Sequence, residues 1–218
     1  MIELNDVSKL FRYKGNVIKA VDKVNLSVDR NEMVAIMGPS GSGKTTLLNI
    51  IGGIYSPTKG EYFFNNNLVS GSETEMAQFR NRNIGFILQN LALIKRKDIM
   101  YNISLPLIYA RMNKEVIRKK VTDISKYLGI YDKLDMYPHM LSGGECQRAA
   151  IARAIINNPK VILADEPTSS LDSDMKSEIM SLLTDLNKKG ITIIIATHDE
   201  YVSNICNRII RINKGVIR

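Results

Sequence analysis

One stretch constrains this chain more than any other. Gly38-Pro39-Ser40-Gly41-Ser42-Gly43-Lys44-Thr45 fits the pattern G-x-x-x-x-G-K-[ST]. The apolar run Met33–Met37 leads into it, and a helical pattern, Thr45–Ile51, leads out. Strand, glycine loop and helix together form the context in which this pattern has chemical meaning. The glycines let backbone N–H groups curl around an anion with no Cβ in the way. The start of the following helix adds the positive end of its dipole. Lys44 is placed to reach β- and γ-phosphates, and the Thr45 hydroxyl to ligate Mg²⁺. The segment implies a nucleoside triphosphate site lined by Gly38, Ser40, Gly41, Ser42, Gly43, Lys44, Thr45 and Thr46.

A second segment fits the same chemistry. Val161-Ile162-Leu163-Ala164 is an apolar strand ending in Asp165 and Glu166. In a parallel sheet this brings both carboxylates to the carboxyl edge, where ligands bind. Asp165 is suited to holding Mg²⁺ through water, and Glu166 to polarising an attacking water.

The rest of the chain predicts an α/β fold. Ile2–Val7, Val24–Val28, Glu61–Phe64 and Ile84–Leu88 read as short strands, with Asn65, Asn66 and Asn67 as turn material. Lys114–Leu128 has apolar residues at helical spacing, and Arg148–Ile156 is a second helix ended by Asn157, Asn158 and Pro159. Strands return at Val161–Ala164, Ile191–Ala196 and Arg208–Ile212, with a helix near Asp174–Asn187 and a stop at Gly190. Apolar strands separated by helices indicate a mostly parallel sheet covered on both faces. The helical middle reads as an inserted lobe, giving one domain over 1–218: core at 1–90 and 157–218, lobe at 91–156.

Composition excludes more than it selects. With 218 residues, 44% hydrophobic and 24% charged, the chain is long enough to bury a core and is not disordered. Its longest uncharged stretch, Thr45–Thr58, is broken by Gly52, Gly53 and Pro57 and is too short to cross a bilayer, which takes roughly 20 apolar residues. The start, MIELNDVSK, has no leader-like apolar segment. Cys146 and Cys206 lie far apart and read as buried, reduced thiols. A net charge of +8 favours polyanionic partners without choosing among phosphates, nucleic acid and membrane. Arg111–Lys120 concentrates five cations against Glu115, a solvated face or a contact with a membrane partner or anionic lipid.

Leu141-Ser142-Gly143-Gly144-Glu145, together with the two segments above, resembles the ATP-binding cassette family from Phe11 to His198. The resemblance implies a RecA-like P-loop NTPase core with an N-terminal antiparallel β subdomain and the helical insertion. It implies ATP and Mg²⁺ as cofactors and ATP hydrolysis as the activity. Phe11 resembles the aromatic that stacks on adenine. Gln89 resembles the glutamine that reaches Mg²⁺ and the water while joining core to lobe. Ser142, Gly143 and Gly144 resemble the helix start that faces the γ-phosphate of an ATP held by another subunit. Asp172, in Ser169-Ser170-Leu171-Asp172, resembles part of the loop where two subunits meet, and His198 the histidine that contacts the γ-phosphate. Catalytic roles thus fall to Glu166, His198, Gln89 and Lys44, and metal binding to Thr45, Gln89 and Asp165.

Cys146 departs from the family's usual Gln, whereas Gln147 and Arg148 fit. Asn102, Leu105-Pro106-Leu107 and IMGPSGSGKTTLLNIIGG are similar to the macrolide-export and lipoprotein-releasing branch, and the wording QNLALI to bacteriocin or antimicrobial-peptide export subunits. The expectation is an ATPase subunit at the cytoplasmic side of the membrane. It would pair with itself or a similar subunit when ATP binds, and would work with a transmembrane permease. Two rivals stand beside it: a regulatory cassette of a cell-division-type complex, and a nucleic-acid-processing cassette. The second is disfavoured because no long coiled coil separates Lys44 from Leu141 and only one cassette is present; direct nucleic-acid binding is not expected.

Overall fold

The computed structural model describes residues 1–217, and at Tyr13 the backbone alone. The chain opens with two long antiparallel strands, β1 (Ile2–Tyr13) and β2 (Asn16–Val28). Then come β3 (Met33–Met37), α1 (Lys44–Ile51), β4 (Lys59–Phe64), β5 (Asn67–Leu68), α2 (Glu73–Asn83) and β6 (Ile84–Ile87). Three helices follow: α3 (Ile99–Tyr109), α4 (Lys114–Tyr127) and α5 (Gly143–Ile155). The chain ends with β7 (Val161–Asp165), α6 (Ser173–Lys188), β8 (Thr192–Thr197), α7 (Glu200–Ile205), β9 (Arg208–Asn213) and β10 (Val216–Ile217).

Two sheets form. One is antiparallel in the order β2-β1-β4-β5, and the other runs β10-β9-β3-β8-β7-β6. In the second sheet every pairing is parallel except β10 with β9. β3, β7 and β8 are buried along their whole length, which is why they read as unbroken apolar runs.

Alternate side chains of these strands feed two separate cores. Ile162, Ala164, Ile193 and Ile195 pack with the helices of the second half, α3 to α6. Val161, Leu163, Ile194 and Ala196 face the other way, onto α1 and the antiparallel sheet through Ile2, Leu4 and Leu47. The period of two along each strand thus attaches the helical lobe to one face and the β subdomain to the other.

Three expectations need correction. The first two strands are far longer than Ile2–Val7 and Val24–Val28, because register shifts between Leu4 and Leu10 let the pair bend and continue where apolar alternation lapses. The helix placed at Arg148–Ile156 starts at Gly143, held by a capping box between Ser142 and Glu145. Cys146 and Cys206 are free thiols, as expected, but half-buried.

Candidate nucleotide site

The strand order β3-β8-β7-β6 explains how distant residues meet. In register, Met37 lies beside Thr197 and Asp165 beside Ala196. The loop after β3, His198 after β8 and Glu166 after β7 therefore emerge side by side at one carboxyl edge. Gln89, exposed two residues past β6, leaves the same edge one strand further along.

The glycine loop is held from below. Ser42 O accepts from Gly215 N at 2.9 Å, and Gly215 O accepts from Asp22 N at 2.9 Å, tying the loop to the β9–β10 turn and to β2. Gly43 caps α1 with φ 107°, a left-handed conformation, and a Cβ there would run into Ala20 O. Glycine is required on both counts. No side chain caps α1, so its first N–H groups point into the loop without partners of that kind.

Two features of the loop call for an anion. Lys44, only 8% exposed, donates to the carbonyls of Gly38 (2.7 Å) and Pro39 (3.1 Å) and makes no ion pair within 4 Å among the described residues. The Ser42 hydroxyl is buried with no hydrogen-bond partner. Buried polar atoms in native proteins are nearly always satisfied, so a ligand oxygen is the fitting complement.

Thr45 Oγ1 donates to Asp165 Oδ2 at 2.8 Å. Burial pushes the Asp165 carboxyl above the usual aspartate range, against the lowering effect of the Thr45 hydrogen bond, with Glu166 raising it further and Lys44 opposing. A hydroxyl beside a desolvated carboxylate is a hard oxygen pair suited to Mg²⁺. No group of three or more His, Cys, Asp or Glu forms a cage among the described residues. That also suits Mg²⁺, which usually keeps water and substrate phosphates as its other ligands.

The sign of this shift yields a prediction. A carboxyl whose folded pKa is raised binds protons more tightly folded than unfolded, so it detracts from stability as pH rises above the ordinary aspartate range. Asp165→Asn removes that cost and keeps an oxygen for Thr45. The nucleotide-free protein should melt a few degrees higher, about 2–4 °C per kcal/mol relieved in a chain of this size. The Mg²⁺-dependent part of its stabilisation by ATP should vanish. An unchanged melting point with intact Mg²⁺ dependence would contradict this account of Asp165.

Glu166 adopts φ 48°, a left-handed backbone that non-glycine residues seldom hold, and its N–H donates to Ala196 O at 2.9 Å. Its carboxylate lies 2.7 Å from His198 Nδ1 and accepts from Thr197 Oγ1 at 3.3 Å. His198 itself is exposed. A carboxylate fixed at both oxygens, beside a phosphate-sized loop, has the chemistry of a base for a bound water.

Ser142–Gly144 lie elsewhere. Among the described residues no hydrogen bond joins them to the loop at 38–46. Ser142 caps α5, and its hydroxyl and N–H both donate to Glu145 Oε2 at 2.8 Å, which holds the Glu145 carboxyl below its ordinary range. A Cβ on Gly144 would run into Met175 Sδ, and Gly143 faces Leu171, so the start of α5 rests on the start of α6. Asp172 caps α6 by accepting from Met175 N at 2.9 Å. Phe11 pairs with Ile18 in the β1–β2 ribbon, with its ring edge-on to Tyr55 at 5.5 Å and Lys9 Nζ 5.6 Å from its centre. Its partly exposed ring remains accessible.

The residues missed from the sequence are supporting ones. Lys176 Nζ grips Asp199 Oδ2 at 2.5 Å, pinning the loop after His198 to α6, and Thr197 holds Glu166.

The profile of the ABC transporter family matches residues 21–169. This chain belongs to that family. The cassette is 44% identical over its full length to the ABC transporter ATP-binding protein MJ1508 of Methanocaldococcus jannaschii, covering 97% of it. It is 41% identical over its full length to the macrolide export ATP-binding/permease protein MacB of Shewanella sp. (strain W3-18-1), of which it spans 34%. Among solved structures it superposes on a dimeric, post-hydrolysis form of the ATP-binding cassette MJ0796 bound to ADP and Pi, with a TM-score of 0.93 and 40% identity. That match covers 100% of this chain and 97% of the other. The expected family, fold and ATPase activity are therefore established. The cassette belongs with relatives of the macrolide-export branch, and its solved neighbours form dimers.

Proposed function

We propose that the cassette is the ATP-driven half of an exporter, working as two copies that close on ATP beneath a transmembrane permease. The separation of Ser142–Gly144 from the glycine loop within one chain carries this reading, because an α5 start that faces phosphate needs the phosphate of another subunit. Two copies related by a two-fold axis would supply two equivalent sites. Each ATP would lie between Lys44 of one copy and Ser142 and Gly144 of the other. ATP then binds the closed pair better than the open one, and that difference drives closure.

Thr45, Asp165 and Gln89 would hold Mg²⁺, which when bound offsets charge on the phosphates. Glu166 takes a proton from the attacking water, His198 contacts the γ-phosphate, and the Phe11 ring stacks on adenine.

A groove of about 1080 Å³ supports the permease partner. It runs between α2, β6 and the lobe, with Ala77, Phe86, Leu88, Leu105 and Tyr109 among its walls. No carboxylate lines it, and Arg82 and Arg111 on its rim are free of ion pairs among the described residues. Its floor strand, β6, leads directly to Gln89, so a segment seated there would sense the nucleotide edge. No described helix is long and apolar enough to cross a membrane, so attachment would come through this partner, at the cytoplasmic face. Kinship with the macrolide-export proteins favours export of macrolide, lipoprotein-like or antimicrobial-peptide cargo.

The test is co-expression with a candidate permease of the macrolide-export type and co-purification from membranes. Ala77→Arg with Tyr109→Glu, both at exposed positions, should abolish capture while leaving ATP hydrolysis by the isolated cassette within about twofold, as surface changes usually cost little stability. Undiminished capture would remove the groove from this role.

A further inference from the structure

The basic segment around α4 is not used by the ATP chemistry, and only its first residue, Arg111, reaches the groove. Between 91 and 141 the sequence has ten Lys and Arg against five Asp and Glu, so five of the eight net positive charges sit in that stretch. Arg111, Lys114, Arg118 and Lys119 are exposed, and among the described residues neither they nor Lys120 forms an ion pair or donates a hydrogen bond to a side chain. α4 turns Val121, Ser125 and Leu128 inward, so these cations stand on its flanks and outer face. Four of them lie in its first two turns, towards the positive end of its dipole, where only Glu115 offsets them. Like charges gathered at that end weaken the helix unless an anion meets them.

The neighbouring side chains narrow the kind of anion. Tyr109 is 77% exposed and Ile108 40%, directly before the Arg111 turn. A bare tyrosine and an aliphatic side chain beside unpaired cations match the composition of protein surfaces at lipid headgroup level. Nucleic acid would be served by the charges alone and gives no use to Ile108. The patch is also continuous with the groove rim, since Tyr109 and Arg111 line both. A permease segment seated in the groove would bring the start of α4 towards the bilayer surface.

We infer that the start of α4, with the turn before it, is a contact surface for anionic phospholipid headgroups of the cytoplasmic leaflet. Lys114, Arg118 and Lys119 supply the charge, and Ile108 and Tyr109 the boundary contact. This rests on the reading of a membrane-seated cassette, and the experiment separates the two.

Purified cassette is sedimented with phosphatidylcholine vesicles and with vesicles in which phosphatidylglycerol replaces part of the phosphatidylcholine. Binding to the anionic vesicles should exceed binding to the neutral ones by about tenfold or more at low salt and collapse as salt is raised, since each cation near the surface adds attraction that screening removes. Lys114→Glu with Arg118→Glu and Lys119→Glu should reduce binding to the neutral-vesicle level. Arg30→Glu with Lys59→Glu and Lys188→Glu makes the same change in net charge elsewhere and should retain most of it. The glutamine triple at 114, 118 and 119 gives an intermediate loss and guards against a variant that fails to fold, with melting and ATP hydrolysis as controls.

Equal loss in the patch and remote variants would reduce the effect to net charge and overturn the inference. Equal binding to both vesicle types would overturn it as well. So would complete displacement by duplex DNA at matched phosphate concentration, which would mark the patch as a nucleic-acid surface. Failure of the permease reading shows separately, as lost co-purification with vesicle binding intact.

Discussion

Glu166→Gln is expected to bind ATP as the parent does and to hydrolyse it about 10²–10⁴ times more slowly, the usual contribution of a positioned general base. Gln preserves the shape and a hydrogen bond to His198 or Thr197, the neighbours that hold both carboxylate oxygens. It does not accept a proton at neutral pH. The left-handed backbone at φ 48° and the bond from Glu166 N to Ala196 O do not depend on the side chain's charge, so the edge keeps its form. In the proposed cycle hydrolysis separates the pair, so the variant should accumulate as a dimer in ATP, which size-exclusion chromatography with and without nucleotide would read. A loss confined to kcat marks an interaction made only in the transition state. Turnover at the parental rate would remove Glu166 from this role.

Lys44→Ala should have the largest effect on binding. The Lys44 ammonium is buried against two backbone carbonyls, and a phosphate offers it stronger, charge-assisted bonds. Hydrogen bonds involving a charged group contribute about 1.5–3 kcal/mol each, so losing one or two of them weakens ATP binding by about 10–10⁴-fold. Alanine is the best helix former, so the first turn of α1 is not itself weakened. Titration calorimetry reads the affinity directly. Thermal melting gives a second reading, because a ligand that binds only the folded chain raises stability by RT ln(1 + [L]/Kd). The parent should gain several degrees at millimolar ATP and the variant almost none. An equal gain in both would mean that Lys44 does not hold the phosphates.

The chemistry was legible because each piece is contiguous. A loop, its strand and its helix occupy adjacent residues, and Asp165 and Glu166 close a run of apolar residues. What brings them together was only partly legible, since parallel order is set by packing between segments far apart in the chain. Three helices escaped for local reasons. α2 buries only Met76 and has no apolar stripe to read. α3 contains Pro106, which cannot donate to the preceding turn and reads as a break. The fully buried Asn102 ties the start of the helix to the segment before it, its Nδ2 reaching the carbonyls of Ile94, Lys97 and Asp98. α7 spans six residues, too few for a period. The contacts between α5, α6 and the loop after His198 carry no pattern at all. Met175 and Lys176 are unremarkable letters whose value comes from what the fold sets opposite them.

Those two neighbours have a joint effect. Met175 presses on the start of α5 while Lys176 clasps Asp199, so one helical turn touches both the element offered to a second subunit and the edge that handles this subunit's own phosphate. Tight packing leaves little slack for one contact to move without the other. In the proposed pair, a disturbance at either end would be felt at the opposite one, so the two nucleotides would be linked through protein as well as across the seam.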